Sequence, residues 1–152
     1  MADATTGKEY IVLETSTFNH DVNQQTCAEL GAQLPEPRDE HDNLFIDSLG
    51  SEMLVLGIND NDVEHQWVYD SDGSPVSYTS WGTLTDYPPN PYYNTGDNCV
   101  GMYRNHNNDL AGQRSQDWFD FNCNSKPFFE GKSKSLICER SEYIHITAHE
   151  SI

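Results

Sequence analysis

Two stretches decide how the rest of the chain is read: Gly96-Asp97-Asn98-Cys99-Val100 and Trp118-Phe119-Asp120-Phe121-Asn122-Cys123. The first is preceded by Gly73-Ser74-Pro75-Val76-Ser77-Tyr78-Thr79-Ser80-Trp81 and then by a Pro- and Tyr-rich stretch containing the adjacent Pro88-Pro89. Acidic residues beside a cysteine, after an irregular polar loop, point to a binding loop pinned covalently at its base. That is the pattern of a site carried on a scaffold. From Thr79 to Asn98 there is no sustained periodicity, only Gly, Pro, Asn, Asp and Tyr among scattered others. So long an irregular stretch inside a compact domain is usually functional.

Outward from the loop, the chain reads as alternating scaffold elements. Glu9–Leu13 is a β-rich run, read as a first strand. Thr17–Asn19 supply cap chemistry for a helix over Asp21–Leu30, which ends at Gly31 as a C′ glycine. Val22, Thr26/Cys27 and Leu30 are expected on its inward face. Pro35 and Pro37 break the chain and start a second helix whose buried stripe is Leu44, Phe45, Ser48 and Leu49. Arg38-Asp39-Glu40-His41-Asp42 reads there as a solvated face, and Gly50 as the stop. Met53–Ile58 is continuously apolar and reads as a central strand. Gln66–Tyr69 is a further strand, followed by a turn at Asp70-Ser71-Asp72-Gly73. Cys99–Tyr103 and Leu136–Glu139 read as later strands, and Arg104–Gln116 as a polar excursion. Ser141–Ile152 is a tail with some β-branched alternation at Ile144 and Ile146, read as an extra strand or as disorder.

The composition narrows the function. A chain of 152 residues is one domain with a substantial core. Eight basic against 25 acidic residues leave a net charge of −17, a field that repels nucleic-acid phosphates and anionic membranes and concentrates cations. Solubility alone would also account for it. No apolar run is long enough to span a bilayer, and Met1–Tyr10 lacks the apolar core of a signal peptide. The six histidines at 20, 41, 65, 106, 145 and 149 lack HxxxH or HExxH spacing, and no GxSxG, P-loop or dinucleotide fingerprint occurs. The expectation is a protein that is not an enzyme. Cys27, Cys99, Cys123 and Cys138 form no CxxC pair, which argues against a zinc ribbon. Two disulfides in an oxidising compartment are favoured, with three connectivities open; four reduced, buried thiols are the alternative.

Taken in order, the motifs resemble the C-type lectin domain. They are Cys27 on a helix, Leu56-Gly57-Ile58-Asn59-Asp60, Trp67-Val68-Tyr69, Gly73-Ser74-Pro75, Tyr78-Thr79-Ser80-Trp81, Asp97-Asn98-Cys99-Val100, Trp118 to Cys123 and Ile137-Cys138-Glu139. The likeness covers residues 9–140, leaving flanks at 1–8 and 141–152. It implies an α+β, C-type lectin-like fold with two helices flanking two small antiparallel sheets and a long irregular binding loop at 82–98. It also implies bridges Cys27–Cys138 and Cys99–Cys123, in the short form without an extra N-terminal cysteine pair.

The resemblance further implies non-catalytic carbohydrate binding assisted by calcium, which takes 6–8 oxygen ligands. Residue by residue it implies Asn90, Asp97 and Asp120 as metal ligands that also contact the sugar. Pro88 and Phe119 stand where further side-chain ligands are usual. Asp60 and Glu64 match two ligands of an auxiliary calcium site, where Pro91 and Asn98 stand in place of further acidic ligands; Asn98 is counted as a metal ligand there, and Asp62 and Asp86 are local substitutes. Tyr87, Tyr92, Tyr93 and Phe119 gather around the same loop as rings for a sugar face or a protein partner. Ordinary roles compete at each position: a solvated turn for Asp60 and Glu64, loop-fixing hydrogen bonds for Asp97 and Asp120, loop packing for the rings. Trp67 and Trp81 read as core, and Trp118 as support for the second cysteine pair. The expected partner is a glycan or glycoprotein, outside the cell, with homo-oligomerisation open. The competing reading is a calcium-independent module for protein, mineral or ice surfaces on the same fold.

Overall fold

The computed structural model describes residues 1–15, 19–49, 53–81, 98–103, 117–123 and 134–141. The elements run β1 (Lys8–Thr15), α1 (His20–Glu29), α2 (Glu40–Leu49), β2 (Met53–Asn59), β3 (Val68–Tyr69), β4 (Cys99–Tyr103), β5 (Asp117–Phe121) and β6 (Lys134–Ser141). Two antiparallel units form: β1 with β6, and β3–β2–β4–β5. A parallel pairing of Met53 with Lys134 joins them in the order β1-β6-β2-β4-β5. Thr17, Gly50, the stretch 82–97, Arg104–Gln116 and the tail beyond Ser141 lie outside the described residues.

β2 is central because its sequence tolerates nothing else. Met53 through Ile58 are buried on both faces of the sheet, as a continuous apolar strand requires. Val55 packs in one apolar cluster with Cys27, Leu34, Cys99, Phe121 and Cys138. Leu54, Leu56 and Ile58 pack in a second cluster with Tyr10, Ile46, Val100, Met102 and Trp118. Gly57 lies where a Cβ would sit 3.0 Å from the Leu34 carbonyl oxygen and 3.2 Å from Glu36 Cγ. The chain before α2 therefore crosses directly over β2, and Gly57 N–H donates to the Pro35 oxygen at 2.7 Å.

α1 begins where Asn19 Oδ1 accepts the Val22 N–H at 3.0 Å, the ordinary N-cap arrangement. It ends in a Schellman motif: Ala32 N–H donates to the Cys27 oxygen and Gly31 N–H to the Ala28 oxygen, with Gly31 at φ +69°. Its rotation differs from the sequence expectation. Cys27 points inward, but Val22 is 51% and Leu30 40% exposed, and the inward residues are His20, Asn23 and Cys27. A disulfide and polar contacts fix the helix, not an apolar stripe. α2 shows the same correction. Asp42, Asn43 and Ile46 are buried, Phe45 and Leu49 are half-buried, and Ser48 and Leu44 are exposed. Asp42, expected in solvent, is instead drawn inward by Lys8 Nζ at 3.1 Å and the Arg38 N–H at 3.0 Å.

The strand expected over Gln66–Tyr69 shrinks to Val68–Tyr69, while β5 forms where no strand was expected. The N-terminus folds back on β1: Met1 and Tyr10 exchange main-chain hydrogen bonds at 2.8 and 2.7 Å.

Candidate functional site

Both disulfides form as the resemblance implied. Cys27–Cys138 ties α1 to β6 across 111 residues, and Cys99–Cys123 joins the start of β4 to the residues just after β5 across 24. The second one closes the base of the long loop, because Cys99 follows that loop directly. The other end of the loop is fixed nearby: Trp81 bridges Trp118 of β5, and the Trp118 N–H donates to the Ser80 oxygen at 2.7 Å. Both ends of the 82–97 segment are thus anchored on β5.

Three expected site residues meet at this end of the sheet. Asn59 of β2 pairs with Cys99, and the Asp60 N–H donates to the Asn98 oxygen at 3.2 Å. Asp120 pairs with Val100, one step along the same ladder. Asp60 is 2% exposed, so it is not a solvated turn residue. Its Oδ2 accepts the His65 N–H at 2.8 Å, and His65 sits at φ 65°, a left-handed conformation that His, like Asn and Asp, visits more readily than most side chains. Glu64 is one-third exposed and lies 3.4 Å from His65 Nε2. Asp62 is exposed. Asn90, Tyr92, Tyr93, Asp97, Pro88, Tyr87, Asp86 and Pro91 lie outside the described residues. Among those that are described, no group of three or more His, Cys, Asp or Glu could hold a metal ion.

β5 separates two residues that the sequence places side by side. Alternation along the strand sends Trp118 and Asp120 to one face, Phe119 and Phe121 to the other. Phe119 is half-buried against the cluster containing Cys99, Phe121 and Cys123, with its ring 6.1 Å from that of Phe121. Trp118 is fully buried in the opposite cluster. There its Nε1 donates to Asn43 Oδ1 at 2.7 Å, and Trp81 and Tyr78 meet it edge-on at 5.7 and 5.9 Å. The expectation that Trp118 supports the second cysteine pair is therefore corrected: Phe119 and Phe121 do so. Trp67 and Trp81 are half-buried, 5.1 Å apart, against the same cluster as Trp118.

Sequence reasoning missed a buried carboxylate cluster on the β1–β6 side of the sheet. Glu36, Asp42 and Glu139 are all buried. Lys8 Nζ reaches Asp42 Oδ2 at 3.1 Å and Glu139 Oε2 at 3.7 Å, and Arg38 reaches Glu36 at 3.0 Å. Glu36 also accepts from the Ser71 N–H and hydroxyl. Burial raises the pKa of Glu36 and of Glu139, the latter against the attraction of Lys8. Burial also raises that of Tyr10, with Glu139 and Asp42 adding repulsion. The one available signal was the i, i+4 position of Asp42 relative to Arg38 beside two prolines, which does not distinguish inside from outside.

The fold and the disulfide-pinned loop base define a C-type lectin-like domain. The Lectin C-type domain family matches residues 16–140, and the chain belongs to that family. It is 26% identical over 118 residues to the versican core protein of Bos taurus and 25% to that of Homo sapiens. The matches cover 78% of this chain but only 3% of each versican core protein. Among solved structures, the cow CD23 C-type carbohydrate-recognition domain, in the presence of a GlcNAc2Man3 oligosaccharide, is similar at TM-score 0.65 and 22% identity, covering 89% of this chain and 88% of that one. A calcium-independent type II antifreeze protein is similar at TM-score 0.64 and 20% identity, covering 89% and 87%. These likenesses establish the fold.

Proposed function

We propose that residues 9–140 form a non-catalytic glycan-binding module that presents the 82–98 loop to a glycan or glycoprotein outside the cell, with calcium assisting. The observation that carries this reading is the convergence of Asp60, Asn98 and Asp120 at the sheet end where both ends of the loop are anchored. The two disulfides fit an oxidising compartment.

The donor chemistry suits a hard cation that binds oxygen. Asn90, Asp97 and Asp120 would hold calcium beside the sugar, and calcium would supply positions for vicinal hydroxyls. The Asn90 amide donates to those hydroxyls, the carboxylates of Asp97 and Asp120 accept from them, and Tyr92 and Tyr93 offer ring faces. Asp60, Glu64 and Asn98 would form the auxiliary site, where the Asp60 carboxylate is already engaged by His65 N–H. The cow CD23 domain, a carbohydrate-recognition domain solved in the presence of an oligosaccharide, supports this reading.

One observation favours a calcium-independent contact instead. Phe119 supplies no oxygen and turns to the face opposite Asp120, and a calcium-independent antifreeze protein shares the fold. On that reading the loop rings and Asn90 meet a protein, mineral or ice surface directly.

Calcium calorimetry decides, with melting recorded with and without EDTA. Saturation at ~100 times the dissociation constant stabilises the fold by about 2.7 kcal/mol, and a glycan screen in calcium then yields binders. No heat and no melting shift overturns the calcium mechanism and favours direct contact. Pro88→Glu with Phe119→Asn strengthens calcium and glycan binding if the loop is a reduced lectin site. The same pair costs roughly 1–2 kcal/mol without calcium, because Phe119 loses its packing.

A further inference from the structure

His20 opens α1 and is only 4% exposed, yet both of its ring nitrogens face carboxylates. Nε2 lies 2.6 Å from Asp70 Oδ2 and Nδ1 lies 3.0 Å from Asp21 Oδ1. A neutral imidazole carries one N–H, whereas the imidazolium carries two. Only the charged ring donates to both acceptors at once; the neutral ring leaves one carboxylate facing a lone pair. Asp70 is itself tied down. Its Oδ1 accepts from Asn59 Nδ2 at 2.5 Å, its Oδ2 also accepts from Gln24 Nε2 at 3.3 Å, and its N–H donates to the Gly57 oxygen at 3.0 Å. The main-chain N–H of His20 donates to the oxygen of Cys123 at 3.2 Å, and Cys123 is bonded to Cys99.

We propose that His20 is a proton-operated clasp, holding the start of α1 against the turn after β3 and against the disulfide base of the long loop. The charged groups facing it are Asp21 from α1 and Asp70 from the turn, while Cys123 presents a carbonyl, and Gln24 and Asn59 are neutral. Asp21 is largely exposed and Asp70 buried, so solvent screens the first and the second dominates. Burial opposes the charge, but the hydrogen bonds and charges of Asp70 and then Asp21 outweigh it, so the ring's pKa lies above 6.5. A raised folded-state pKa means the clasp stabilises fully below the unfolded value and is lost as pH rises through the folded one. The base of the loop is tight in acid and slack in alkali. This holds whether the loop binds glycan, protein or another surface.

The test uses the full oxidised chain. NMR titration of the histidine rings, with His20→Gln identifying the His20 signal, is run beside amide exchange from pH 5.5 to 8.5. His20 titrates above 6.5, and protection at the amides of His20, Val22 and Asn23 falls several-fold relative to β2 amides as it does so. Asp70→Asn lowers the His20 midpoint more than Asp21→Asn. If His20→Gln does not fold, the effect of Asp70→Asn on the wild-type signals identifies the ring instead. A midpoint at or below 6.5, or protection that ignores the titration, overturns the clasp.

Discussion

Two groups of buried carboxylates in the sheet are held by different means. On the β1–β6 side, Glu36, Asp42 and Glu139 are met by Lys8 and Arg38, charges that the chain supplies itself. At the loop base, Asp60 is met by the main-chain N–H of His65, and Asp120 sits on the strand that anchors both ends of the long loop. An internal cation makes a carboxylate cluster part of the scaffold. On the function proposed above, Asp60 and Asp120 are instead placed at the loop base for a ligand outside the chain. Acidity alone does not mark a site.

The largest test of this division is to cut each covalent tie separately. In the chain-entropy model, losing the 111-residue closure of Cys27–Cys138 costs about 5 kcal/mol, and losing the 24-residue closure of Cys99–Cys123 about 3.5 kcal/mol. Urea unfolding of the paired Cys→Ala variants measures both. The division predicts that ligand binding is lost in the Cys99/Cys123 variant; equal binding in both would erase the distinction between the two groups of carboxylates.

A smaller effect is expected from Lys8→Met, which leaves Asp42 and Glu139 buried without their shared ammonium. Breaking a buried pair costs several kcal/mol, and Lys8 is partly exposed, so about 2–3 kcal/mol is expected. Adding Asp42→Asn recovers part of the loss. The calcium and glycan binding proposed above stay unchanged, and a change in either would show that the two groups of carboxylates are coupled.

The smallest effect is in pH dependence. Glu139 has a raised pKa in the fold, so its contribution is full below 4.5 and is lost as pH rises through the folded value. Glu139→Gln keeps an acceptor for the Glu36 N–H, which Glu139 Oε1 receives at 2.9 Å, and removes that decline. Melting temperature followed from pH 4 upward should therefore fall less steeply in the variant than in the wild type. Parallel curves would mean that Lys8 compensates Glu139 fully.

The sequence alone determined much of this protein. A short, continuous apolar run between turn residues reads as a buried central strand, as β2 is. Asn19 and Gly31 mark the ends of α1 by local capping geometry. Motif order was enough to imply the family, the fold and both disulfides. These features are legible because each depends on neighbours in the chain or on a pattern spread along it.

Only the tertiary structure decided which way the elements turn. Val22 and Leu30 lost the inward face of α1 to His20, Asn23 and Cys27, because a disulfide and the contact of His20 with Asp70 fixed the rotation. Asp42 went inside because Lys8, 34 positions earlier, reaches it. β5 was hidden because Asp-Trp-Phe-Asp-Phe puts an acid and a ring on each face, so no polar face announces a strand. Phe119 and Asp120 are adjacent in sequence, yet the pleat sends them to opposite faces. Contacts between residues distant in the chain carry no local signature, and those contacts determined which side chains turn inward.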